Sequence, residues 1–221
     1  MAINHIGMTR LISLQVPYEK LKVDLENFRQ EALDLGASLA EIIPAKWVEI
    51  DERVRLKCYI PLCPFYGKNP YCPPQAPQPE FMREALGRYT WAILFALDVI
   101  PVEHFADRSR PELQELGLQW TKKTIEIAGK VETLAFASGY YLSLGLCQFS
   151  CLRGLCHQER CVVLDGDKCP FPLKARPSME GVGIDVFRLV TRVGWDIYPI
   201  CRSIDPKVVP RALAVGIVFI Y

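Results

Sequence analysis

Seven cysteines in two groups carry the chemistry that this chain offers. Cys151, Cys156, Cys161 and Cys169 fall within nineteen residues, in CLRGLCHQERCVVLDGDKC, with gaps of four, four and seven. Cys58, Cys63 and Cys72 form an earlier group, with gaps of four and eight. Thiolate sulfur is the soft, anionic donor that iron–sulfur clusters require, and zinc accepts it as well. A multi-iron cluster needs several cysteines a few residues apart, so that a short loop can wrap it. The pair Cys169-Pro170 is similar to the Cys-Pro that closes bacterial ferredoxin motifs. Structural zinc draws its cysteines from knuckles usually about two to four residues apart, and these four form no such pairs neatly. The expectation is one or two clusters of the 4Fe–4S type. Cys151, Cys156, Cys161 and Cys169 would hold one, and Cys58, Cys63 and Cys72 another. Zinc is the alternative.

The first group is one thiol short of a full set. Cys147 or Cys201 would supply the fourth ligand, or a non-cysteine residue would, or one iron would stay open to a small molecule. His157 is read as a solvated loop residue. Arg153, Arg160, Lys168, Lys174 and Arg176 are interleaved with the second group, and such cations stabilise a negatively charged cluster. At the tip of the first loop, Gly67 permits a tight turn and Lys68 is placed to face cluster charge.

Nine cysteines, an odd number, are read here in a reducing cytosol, where disulfides do not persist and metal binding or redox chemistry is the better use. The N-terminus shows no signal-peptide pattern, and the longest apolar run, 212–221, is too short to span a bilayer as a helix. A soluble, cytoplasmic protein is expected. The formal charge of +1 gives no footprint for nucleic acid. Partners would be a redox protein or a small-molecule substrate, and an oligomer is compatible with the sequence. The functional expectation is electron transfer or low-potential redox chemistry, in an anaerobe. A zinc-binding or metal- or cluster-carrying protein is the second reading, and an enzyme with an open cluster iron is the third.

The elements that must position these loops follow from periodicity. Leu21, Leu25, Phe28, Ala32 and Leu35 mark a first helix stopped by Gly36. Short β-type runs are expected at 41–43 and 47–51, and Val54–Leu56 leads into the first cysteine loop. That loop is rich in proline, which keeps its backbone non-helical. A helix from Pro79 to Gly87 would turn Phe81, Met82, Ala85 and Leu86 inward. The run 91–97 reads as a strand covered on both faces. Residues 101–110 read as loop, and Pro111 opens a long helix ending near Gly139. Residues 140–146 read as a buried strand. Ser178 looks like the N-cap of a helix with Val182, Val186 and Val190 inside and Gly194 beyond its end. Leu213–Ile220 reads as a last buried strand, with Gly216 a weak spot or bulge. Strands alternating with helices make one α/β domain over residues 1–221, a layered sheet flanked by helices, with the cysteine loops (58–74 and 147–172) at one edge.

The segments CPFYGKNPYCPP (63–74), ETLAFASGYY (132–141) and KCPFPLKARPSMEGVGIDV (168–186) resemble a prokaryotic family of predicted metal-binding proteins of unknown function. The resemblance implies metal binding at the shared cysteines and implies no reaction. Cys151, Cys156 and Cys161 are spaced wider than the C-x2-C-x2-C near which that family's second loop falls, so the coordination geometry here would differ. No GxGxxG after a strand, P-loop or HExxH is present, so nucleotide and zincin chemistry have no support.

Overall fold

A computed structural model describes residues 9–106, 111–200 and 204–221. Its centre is a four-stranded sheet in the order β1–β2–β4–β3, with every neighbouring pair antiparallel. The strands are β1 (Leu39–Pro44), β2 (Trp91–Asp98), β3 (Leu144–Cys147) and β4 (Leu213–Phe219). Successive strand side chains point to opposite faces, and on β2 both faces are covered. Ile93, Phe95 and Leu97 pack with Leu21, Leu25 and Phe28 of α1 (Tyr18–Asp34) and with Ile127, Val131 and Ala135 of α5 (Pro111–Ala137). Ala92, Leu94 and Ala96 face Met82 and Leu86 of α3 (Pro79–Leu86), and Leu189 and Val190 of α6 (Val186–Arg192). That is why β2 reads as a continuous apolar run although its neighbours run antiparallel. The α/β class is as expected.

Several local expectations are corrected. Residues 47–51 form no strand. Ala45–Trp47 closes a single 3-10 turn, Ile50 makes one isolated bridge to Ile184, and the carboxylate of Asp51 caps the short helix α2 (Glu52–Leu56). Pro44 pairs opposite Trp91 as the last residue of β1, where a missing N–H does least harm. In α3 the buried stripe is Pro79, Met82 and Leu86, while Phe81 is 64% exposed, because it lies off that stripe by part of a turn. Part of the expected 101–110 loop is helical, as α4 (Glu103–Ala106), and residues 107–110 lie outside the described residues. The strand expected at 140–146 is confined to β3; ahead of it the Tyr140 hydroxyl donates to the buried carboxylate of Asp24, at 2.8 Å.

The helix expected from Ser178 is two pieces. Ser178 Oγ accepts from Gly181 N–H at 2.9 Å, but the 3-10 turn Glu180–Val182 has Met179 at its cap position, so Ser178 caps no helix. Gly183 then takes φ +94°, which a helix cannot accommodate, and α6 restarts with Asp185 as its own cap. Val182, Val186 and Val190 are nonetheless all buried. Gly216 is neither a bulge nor a weak spot. It sits in regular register between Phe95 and Cys147, and the Phe95 ring fills its side-chain space, so that a Cβ there would lie 2.3 Å from Phe95 Cζ.

Candidate metal centre

The edge strand β3 ends at Cys147 and delivers the chain into the second cysteine loop. Met179 N–H donates to Cys147 O at 2.8 Å, so both ends of that loop are pinned at the same sheet edge. Within it, Ser150 precedes a wide single turn, Leu152–Cys156, that ends at His157 in the left-handed region. Gly154 lets this turn lie flat on α5, since a Cβ there would meet Thr121 Cγ2 at 2.8 Å. The turn keeps Cys151 and Leu152 buried and brings Cys156 to the boundary with solvent.

The thiols act on one another both within and across the two loops. Burial pushes the Cys151 thiol up to about 12, reinforced by Cys156, Cys72, Cys161 and Cys169 around it. Burial, then Cys169 and Cys161, raise Cys156 too. In the first loop burial pushes Cys58 up to about 11, with Cys63 and Cys72 adding to the effect. Loss of hydration disfavours the thiolate at each site, and neighbouring sulfurs disfavour it further. The groups also adjoin, because Cys72 acts on Cys151.

Two contacts join the loops. Cys161 N–H donates to Lys68 O at 2.8 Å. Asn69, 0% exposed, donates through Nδ2 to Ser150 Oγ at 2.8 Å and to Cys72 Sγ at 3.1 Å, while its Oδ1 accepts from Tyr71 N–H at 2.7 Å. The expectation for Lys68 is corrected in part. Its side chain is exposed, and its contribution here is the backbone carbonyl. Tyr71, a first-loop residue, stands among second-loop sulfurs, and burial followed by Cys151 and Cys169 raises its phenol.

The expected basic residues are mostly engaged elsewhere. Arg176 makes a bidentate pair with Glu132, at 2.9 and 3.0 Å, which ties 168–186 to 132–141. Arg160 pairs with Asp165, and Lys174 reaches Glu126 at 3.9 Å. His157 is exposed. Cys147, 0% exposed, is a core thiol raised by burial, and Cys201 lies outside the described residues.

Arg55 belongs to no motif that would single it out. It is only 4% exposed, and among the described residues it makes no ion pair. Nη1 donates to Pro77 O and Gln78 Oε1, whereas Nε and Nη2 have no partner. Its charge acts on Cys58, drawing that thiol towards ionisation. Among the described residues no three histidine, cysteine or carboxylate groups converge as they would around a single metal ion.

A four-stranded antiparallel sheet and its flanking helices define an α/β protein. The model of the family described as Predicted metal-binding protein (DUF2284) matches residues 41–218, which include both cysteine groups, and the chain belongs to that family. No curated protein and no solved structure matches it. No helix among the described residues is long and apolar enough to cross a membrane.

Proposed function

We propose that this chain is an iron–sulfur protein of the 4Fe–4S type that works in electron transfer or low-potential redox chemistry. Cys151, Cys156, Cys161 and Cys169 would hold one cluster, and Cys58, Cys63 and Cys72 would hold a second. The observation that carries the reading is Arg55. A buried guanidinium with two idle donors costs several kcal/mol unless an anion answers it. In the first loop its charge acts on the Cys58 thiol and the Tyr66 phenol, and neither is anionic at neutral pH unless the thiol binds metal. Thiolate ligation supplies the missing negative charge, so the residues present fit such a group. Asn69 and Ser150, hydrogen-bonded to Cys72, add donors to a ligand sulfur, and such bonds set cluster potential.

When bound, such clusters supply one-electron transfer at potentials set by charge, hydrogen bonding and exposure. The chain's own part would be to bring the sulfurs together on the cluster, to exclude water with Leu152, Leu155 and Ala175, and to balance charge with Arg55. The eight described cysteines are all free, which suits the reducing cytoplasm proposed for this protein.

The test is electron paramagnetic resonance on anaerobically prepared, reduced protein. Wild type should show two signals, Cys156→Ser should lose one and Cys63→Ser the other. A protein without iron signals, or both variants losing the same single signal, refutes the assignment of two centres.

A further inference from the structure

A cavity of about 570 Å³ adjoins the cysteine loops, between the segment that enters the first loop and the segments that enter and leave the second. Val54 and Lys57 precede Cys58 on one wall, Gln148 and Phe149 precede Cys151 on another, and Glu180 follows the second loop. Most of the remaining surface is apolar, with Ile184, Leu213 and Val215 at its base. A larger cavity of about 700 Å³ lies against residues 13–16 and carries no cysteine and no unpartnered buried polar atom.

Two polar groups at the smaller cavity lack partners. Gln148 is 5% exposed, and its Oε1 accepts from Val215 N–H at 3.1 Å, while its Nε2 donates to nothing. Glu180 faces the N–H of Phe149, and its Oε2 accepts from nothing. Buried donors and acceptors are normally paired, so a matched orphan donor and acceptor lining one cavity point to an absent ligand. Phe149, between them in the chain wall, holds φ +59°, a strained value for a bulky residue of the kind that collects at ligand sites. Gln148 Nε2 offers a donor and Glu180 Oε2 an acceptor to the same cavity, and a neutral group presenting both a carbonyl and an N–H answers both.

We infer that this cavity binds an apolar small molecule through a carboxamide or lactam edge, its carbonyl accepting from Gln148 Nε2 and its N–H donating to Glu180 Oε2. The inference stands on the cavity and not on which metal the thiols hold.

The test is isothermal titration of the full-length protein, as purified, with 2-naphthamide and with methyl 2-naphthoate, which keeps the carbonyl and lacks the N–H. The amide should bind saturably, one per chain, and at least about tenfold more tightly than the ester, since an unanswered buried acceptor is a strong discriminator. Glu180→Gln keeps the shape but turns the idle acceptor into a donor, and it should abolish the preference. If that variant does not fold, Phe187→Ala, on the half-exposed wall, serves instead and should weaken both probes alike. No saturable binding, equal binding of the two probes, a preference that survives Glu180→Gln, or binding untouched by Phe187→Ala would each overturn the inference.

Discussion

Replacing Asn69 by alanine would cut the side-chain clasp between the two cysteine loops. Three hydrogen bonds go: Nδ2 to Cys72 Sγ, Nδ2 to Ser150 Oγ, and Tyr71 N–H to Oδ1. The Ser150 hydroxyl keeps Leu152 N–H and Cys72 as partners, so it is not stranded. The Tyr71 N–H loses its acceptor in a half-buried place. Two neutral bonds at about 1 kcal/mol each, a weaker one to sulfur, and part of the penalty for a stranded donor give a loss of about 3 kcal/mol. Domains are stable by only about 5–15 kcal/mol, so the change is large. The assay is anaerobic urea unfolding of the metal-free protein, read as a lower midpoint at unchanged slope. Asn69→Asp keeps the Tyr71 contact but offers a carboxylate where Cys72 and Ser150 meet a donor, and it should recover little of the loss. An Asn69→Ala protein within about 0.5 kcal/mol of wild type would refute the clasp, since surface substitutions of no consequence fall in that range.

Arg55→Met should stabilise the metal-free protein, because it removes a buried unpaired cation, and should weaken metal retention; chelator-driven release and urea unfolding read the two effects, and a change of the same sign in both would contradict the charge argument. Gly216→Ala should cost about 1–3 kcal/mol by driving a Cβ into the Phe95 ring, with partial rescue by Phe95→Leu in a thermal melt. Burial, then the bond to Asp24, raise the Tyr140 phenol above its ordinary value. An unfolded phenol ionises near pH ~10, so this contribution is whole below that and is lost as pH rises towards the folded value. Wild type should therefore lose more stability than Tyr140→Phe between pH 8 and about 10.5, and parallel losses would contradict the linkage.

What the sequence made legible was what periodicity encodes. The apolar run of β2 and the stripe of α1 each report a local pattern, and each led to the right element. Long-range pairing was not legible. Asn69 carries no local signal that marks it, yet it is fully buried and bonded to Ser150, eighty-one positions away. Arg55 lies in the stretch 54–56, read only as leading into the first loop, and the return of 77–78 over it is a long-range contact that no local pattern reports. Gly216 carried the signature of a defect, and its reason, the Phe95 ring, lies on a neighbouring strand. At Ser178 the expected single helix is broken and its cap falls to Asp185, because Gly183 in a left-handed turn overrides the spacing of the buried valines. The basic residues of the second loop could be counted but not assigned, since Arg176 is taken by Glu132 from another element.

The central claim is that the two thiol groups enclose iron and sulfide. Elemental analysis of protein purified without air, for iron, acid-labile sulfide and zinc on the same sample, tests it most directly. The account predicts several irons per chain with sulfide in matching amount and a broad absorption near ~400 nm that acid bleaches. A colourless protein carrying stoichiometric zinc and no sulfide would contradict it.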